Sequence, residues 1–236
     1  MKTYKHNGLN FCEFAADKLS FRWWDKVKND VPKNSFNSGF FGYFSALGLK
    51  NYTLPVGNLV CDKRNINTQQ ATDIRSWGGA VSDKIKLTVN QNVSPQFKKK
   101  KVSTLIITED NVPLVIDTES IPSNVKYAVS GVPVVRNKEN VSWLNYVTKQ
   151  GWKGDPMYAT WRNWIGIKND GTMILIWGST STGNYISTSE IFSKTKNLGI
   201  KDLLALDGGG SYINTISGVS KTSENRRINT IGIIAE

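Results

Sequence analysis

The chain has 236 residues, with 30 Lys and Arg against 19 Asp and Glu, a formal charge of +11, and 39% hydrophobic residues that include eight Trp. This composition excludes a disordered tail, suits one folded domain, and favours anionic, phosphorylated partners over cationic ones. His6 is the one histidine, so a Ser-His-Asp or Cys-His nucleophile or a His-ligated zinc would depend on a residue near the N-terminus, which argues against all three.

Cys12 and Cys61 are too few for a disulfide framework and are not in metal spacing, and read as free thiols of a reducing compartment. No metal ligands and no cofactor are assigned, and a metal requirement is left open. Catalysis then falls to carboxylates with Arg, Asn and backbone N–H groups, which points towards glycoside or phosphate chemistry.

In chain order, Met1 to Gly8 lacks the apolar run of a signal peptide and no stretch is long enough to span a bilayer, so the expected location is cytoplasmic. Usage rich in Lys, Asn and Ile gives the impression of a virus-encoded protein, for which this means the host cytoplasm. Phe11, Phe14, Ala15, Leu19, Trp23 and Val27 fall near helical spacing and predict a helix within 12–29. Residues 1–33 are taken as an N-terminal extension packed on a domain of residues 34–236. Asn37 to Phe44 is an aromatic, strand-like run, and Leu59 to Cys61 is a short strand ending on Asp62.

The run Lys98 to Lys101 reads as a solvated loop, and since no recognised nucleic-acid motif accompanies it, nucleic acid is not the expected partner. Val102 to Thr108 and Pro113 to Thr118 predict a hairpin. Tyr127 to Arg136 predicts one strand, with Pro133 marking an edge or a bulge. Residues 138–160 read as a long surface loop or a short helix. Trp161 to Lys168 and Thr172 to Trp177 flank Asn169-Asp170-Gly171, a second hairpin signal. Ser187 and Glu190 form a capping box for a helix stopped by Gly199. The tail from Arg226 to Ile234 is a last strand. The expected architecture is α+β, with mixed, largely antiparallel sheets and a few packed helices.

The most informative stretch is Leu203-Leu204-Ala205-Leu206-Asp207-Gly208-Gly209-Gly210-Ser211. A buried-strand run ends on a carboxylate, and three glycines follow that can take positive φ and turn N–H groups towards a ligand oxygen. The alternative is a tight turn capped by Asp207. No Gly-Lys-Ser/Thr ending follows, which excludes a Walker loop, and a strand-like segment follows in place of the helix of a Rossmann turn.

Taken in order, these motifs resemble the phosphodiester glycosidase family. Asn37-Ser38-Gly39-Phe40-Phe41 is similar to its Asn-Gly-Gly-Phe/Tyr-Phe segment, and Gly57-Asn58-Leu59-Val60-Cys61-Asp62 to its Gly-Asn-Val-Val-Ser-Asp. Ser130-Gly131-Val132 resembles its Ser-Gly-Val strand and Arg162-Asn163-Trp164-Ile165-Gly166 its Arg-Thr-Ala-Ile-Gly hairpin. Leu-Asp-Gly-Gly-Gly-Ser is intact at Leu206 to Ser211, and Arg226 to Gly232 matches an Arg-led last strand. Departures are Ser38 for a glycine, Gly42 and Lys63 for polar or acidic residues, and Trp177-Gly178-Ser179 where an Asp-Gly pair is usual.

The resemblance implies hydrolysis of the bond between a sugar anomeric carbon and a phosphodiester, with Asp207 and, second, Asp62 as catalytic carboxylates. It implies a phosphate and ligand site of Asn37, Gly39, Arg162, Gly208, Gly209, Gly210, Ser211 and Arg226. The expected partner is an anionic phosphodiester small molecule or glycoconjugate. Because the departures remove carboxylates, the alternative is a non-catalytic protein that binds or sequesters a sugar-phosphate or nucleotide-like phosphodiester. Arg162 and Arg226 are expected to clamp the phosphate, the competing reading being surface ion pairs.

Overall fold

Leu19, Phe21 and Trp23 are buried while Ser20, Arg22 and Trp24 between them are more exposed. That two-residue period belongs to a strand whose alternate side chains face opposite sides. The helix predicted within 12–29 is therefore absent: residues 19–27 pair as a strand with Arg227–Ile234, and that pairing decides between the period of two and the looser three-and-four spacing.

The structure, a computed structural model, describes residues 1–46, 49–55, 57–61, 64–65, 100–141, 146–152, 159–178, 186–224 and 226–236. In chain order the strands are β1 (Lys2–His6), β2 (Leu9–Phe14), β3 (Leu19–Val27), β4 (Ser35–Asn37), β5 (Phe41–Ala46), β6 (Leu49–Pro55), β7 (Leu59–Cys61), β8 (Arg64–Asn65), β9 (Val102–Thr108) and β10 (Pro113–Thr118). They continue with β11 (Val125–Ser130), β12 (Val132–Arg136), β13 (Glu139–Asn140), β14 (Arg162–Lys168), β15 (Met173–Gly178), β16 (Ile200–Gly208), β17 (Ile213–Asn214), β18 (Ser220–Lys221) and β19 (Arg227–Ile234). One α-helix stands among the described residues, α1 (Thr188–Thr195). The few packed helices of the expected α+β class are thus an overstatement; the described chain is mostly antiparallel sheet.

A seven-stranded sheet has the order β1-β2-β15-β14-β16-β12-β13. Two five-stranded sheets have the orders β10-β9-β11-β7-β8 and β18-β17-β4-β19-β3, and β5 pairs with β6. Both predicted hairpins form, β9 with β10 and β14 with β15. The single strand predicted over Tyr127 to Arg136 is divided at Gly131: β11 belongs to one sheet and β12 to another. A Cβ at Gly131 would lie 2.8 Å from the Ala205 carbonyl oxygen, so the crossing needs glycine at this close approach. The register shifts beside Pro133, which is the expected bulge.

The seven-stranded sheet is buried on both faces. One face shares a core with the other sheets through Ile165, Leu175, Leu204 and Leu206, packed with Phe21, Phe36 and Leu105. Trp164, Ile176, Leu203 and Ala205 lie in the other cluster, which Ile191 of α1 joins. Ser187 accepts the Glu190 N–H and Glu190 reaches back to the Ser187 N–H, closing the predicted capping box. β16 pairs on both sides, with β14 and β12. Its end is thereby fixed, and there Asp207 emerges. The segment 1–33 contributes β1 and β2 to this sheet and β3 to the β19 edge of another.

Candidate active site

The backbone of Asp207 is pinned from the end of β4. Its N–H donates to the Ser38 carbonyl at 3.1 Å, and its carbonyl accepts from Asn37 Nδ2 at 2.8 Å. The side chain is half-buried. Burial pushes its carboxyl up to about 6, although the Ser211 hydroxyl, the Arg162 charge, the Gly208 N–H and the Arg226 charge all act in the lowering direction. Desolvation of the carboxylate thus outweighs two nearby cations. The Ser211 hydroxyl is buried beside this carboxyl, and the buried Ser38 hydroxyl has no hydrogen-bond partner among the described residues.

The three glycines stand in three different settings, and the first two require glycine. A Cβ at Gly208 would lie 2.3 Å from the Trp161 carbonyl oxygen, because β14 and β16 close together here. Gly209 has φ of +59°, and its N–H donates to the Trp161 carbonyl at 2.8 Å, so this N–H serves the fold. At Gly210 a Cβ would meet the Glu224 carboxylate at 2.0 Å and Arg226 Nη1 at 2.9 Å. Its missing side chain gives room to that pair.

Arg162 is 5% exposed, donates to the Leu206 carbonyl at 2.6 Å and stands 5.8 Å from the centre of the Phe40 ring. Phe40 follows the buried Gly39. Arg226 lies 3.6 Å from Glu224 in a largely solvent-exposed ion pair. The structure therefore gathers Asn37, Asp207, Gly208 to Ser211, Arg162 and Arg226 at one end of β16, and Arg226 there has a carboxylate partner. Asp62 falls outside the described residues. Two separate family-like segments do meet: the Asn58 N–H donates to Ser130 Oγ at 2.7 Å, and a Cβ at Gly57 would lie 2.6 Å from the Ser130 Cβ. Among the described residues no three His, Cys, Asp or Glu side chains cluster to hold a metal.

Two features escape sequence reasoning. The first is a chain of buried asparagines. Asn163 Nδ2 donates to Asn37 Oδ1 at 2.9 Å and to the Ile213 carbonyl at 3.1 Å. Its Oδ1 accepts from Asn214 Nδ2 at 3.0 Å. Asn37 Oδ1 also accepts the Ile213 N–H at 3.1 Å. The Asn37 amide, expected in the ligand site, is thus committed to holding β4, β14, β17 and the Asp207 carbonyl in one arrangement. The second is Lys28, fully buried, whose Nζ donates to the Gly210 carbonyl at 2.8 Å and to Thr222 Oγ1 at 2.6 Å. Nothing in a chain with 30 Lys and Arg singles out this one.

A family profile described as phosphodiester glycosidase matches residues 58–232. The chain belongs to the phosphodiester glycosidase family. Solved structures agree on the fold. The zebrafish N-acetylglucosamine-1-phosphodiester alpha-N-acetylglucosaminidase catalytic domain, auto-inhibited by its pro-peptide, aligns with a TM-score of 0.62 at 14% identity over 97% of this chain and 76% of that one. A Burkholderia pseudomallei K96243 protein described as exported aligns with a TM-score of 0.58 at 13% identity over 97% and 74% of the two chains. A hypothetical protein from Synechocystis gives 0.54 at 12% identity over 99% and 61%. No curated protein matches the chain.

The expected cytoplasmic location is corrected by these neighbours. The fold is shared with a protein described as exported and with a catalytic domain that carries a pro-peptide, and it brings no cytoplasmic assignment. Among the described residues no helix is long and apolar enough to cross a membrane.

Proposed function

We propose that this member of the family hydrolyses the bond between a sugar anomeric carbon and a phosphodiester, with Asp207 as the carboxylate at the anomeric carbon. The observation that carries the reading is a half-buried carboxyl raised to about 6, at a strand end beside a glycine turn and two arginines. In this reaction the C1–O bond breaks with its electrons passing to the phosphate oxygen, and a water oxygen bonds to C1. The departing phosphomonoester is stabilised by cationic groups and needs little help from a general acid. Asp207 then has the task of supporting the positive charge that develops at C1 and receiving the proton of the attacking water. At neutral pH its carboxyl is mostly ionised, as a base must be. Arg162 and Arg226 are the proposed cations for the phosphate, Arg226 exchanging Glu224 for the ligand. Asp62 is the proposed second carboxylate.

The test is incubation with a panel of sugar-1-phosphodiesters and nucleotide sugars, followed by mass spectrometry for free sugar, with Asp207→Asn as the control. Cleavage by the wild type and its loss by several orders of magnitude in the folded variant support the assignment. Full turnover in that variant removes Asp207 from the mechanism. Ligand recovered bound and unchanged from the wild type points instead to binding or sequestration.

A further inference from the structure

A fully buried ammonium is costly, and such groups ordinarily sit beside a carboxylate. Lys28 has none within 4.0 Å among the described residues, and its two hydrogen-bond acceptors, the Gly210 carbonyl and Thr222 Oγ1, are neutral. Thr222 Oγ1 lies 3.3 and 3.2 Å from the Gly209 and Gly210 carbonyls, and the Tyr212 N–H donates to the Gly209 carbonyl at 3.0 Å, so Lys28 holds the Gly210 oxygen directly while Thr222 and Tyr212 hold the Gly209 oxygen. In a planar trans peptide the N–H points away from the C=O. The Gly210 N–H, opposite the Gly209 oxygen, is therefore directed to the other side of the turn. Lys28 comes from residues that precede the family match at 58–232, and its own N–H donates to the Arg226 carbonyl at 3.1 Å, which ties it to the start of β19.

We propose that Lys28 is a positioning residue of the glycine turn, whose buried charge holds the Gly210 carbonyl directly and the Gly209 carbonyl through Thr222, and favours a phosphodiester anion on the turn's opposite side. This deepens the reading of the site as one for sugar-phosphodiesters and rests on it for the ligand class. The charged groups that act on Lys28 are Glu224, which favours its protonated form, and Lys221 and Arg226, which oppose it; with burial the larger cause, its amine is pushed down to about 8. A bound anion adds to the effect of Glu224. By linkage, the anion must then raise the titration midpoint of Lys28 and bind more weakly as Lys28 deprotonates.

The probe is dimethyl phosphate, a monoanion throughout the range of interest. Its binding to the whole chain is followed by NMR between pH 7 and pH 9.5, alongside thermal melts. The wild type is expected to lose about tenfold in affinity over this range, the change that accompanies a one-unit rise in midpoint on binding. K28M should bind weakly at both pH values, and K28R, whose guanidinium does not titrate here, should bind without the pH dependence. Side-chain NMR of wild type carrying labelled lysine needs no variant: the Lys28 midpoint is expected to rise when dimethyl phosphate is added, whatever the folding of K28M. The proposal is overturned by wild type that does not bind the probe, by folded K28M with unchanged affinity, by K28R that keeps the wild-type pH dependence, or by a Lys28 midpoint that does not move. Absence of cleavage of any sugar-1-phosphodiester, with Lys28-dependent binding intact, rejects the hydrolase reading alone.

Discussion

Asp207→Asn should make the protein more stable at pH 8 while removing its proposed activity. The carboxyl is raised from 3.8 to about 6 by burial, so the folded state favours the neutral acid by about 3 kcal/mol. The sign follows from linkage: relative stability is full below the unfolded value near 4, declines as the pH rises, and is lost above about 6. Asparagine resembles the neutral acid at every pH. Its advantage over wild type should be near zero at pH 4, grow between pH 4 and pH 6, and level off at up to about 3 kcal/mol by pH 8. For a chain of this size that is a rise of roughly 6 to 12 °C in melting temperature. Urea titrations of both proteins at pH 4, 6 and 8 measure it, and an unchanged m-value shows that the unfolded states are comparable. A variant less stable than wild type at pH 8, or a difference that does not vary with pH, refutes the claim that desolvation of Asp207 dominates its surroundings.

If Asp207 acts as a base, kcat/KM on a cleaved sugar-1-phosphodiester should rise with pH through about 6, and a rate that instead falls through this range assigns the carboxyl as an acid. Asn163→Ala leaves Asn214 Nδ2 and one face of Asn37 Oδ1 unpaired in a buried setting; denaturant titration should show a loss of about 2 to 4 kcal/mol, and a loss below half a kcal/mol shows the asparagine chain to be dispensable. Gly208→Ala sets a methyl 2.3 Å from the Trp161 carbonyl oxygen, so β14 and β16 must part, with a drop in melting temperature and in dimethyl phosphate binding; a variant unchanged in both contradicts the close approach. Ser187→Ala removes the cap of α1, remote in sequence from the glycine turn, and should cost about 1 kcal/mol of stability without altering turnover.

Local chemistry made much of this molecule legible in advance. The Asn169-Asp170-Gly171 turn between two apolar runs specified the β14–β15 hairpin, Ser187 and Glu190 specified the start of α1, and Leu203 to Asp207 specified a buried strand ending on a carboxylate, because in each case the determining residues are neighbours in the chain. The period of Leu19, Phe21 and Trp23 was also present, but it competed with a helical spacing that only pairing with β19 decides. The division of β11 from β12 at Gly131 was decided by the Ala205 carbonyl, distant in sequence. The same is true of the site. A carboxylate and three glycines can be read from residues 207–210. That Gly208 serves close strand approach, that the Asn37 amide oxygen accepts from Asn163 and Ile213, and that a lysine 182 positions away holds Gly210 depend on long-range contacts. Tertiary structure alone brings those groups within hydrogen-bonding distance, and burial there, which no residue carries in its own identity, turns an ordinary aspartate into one poised near neutral pH and a surface-type lysine into a buried cation.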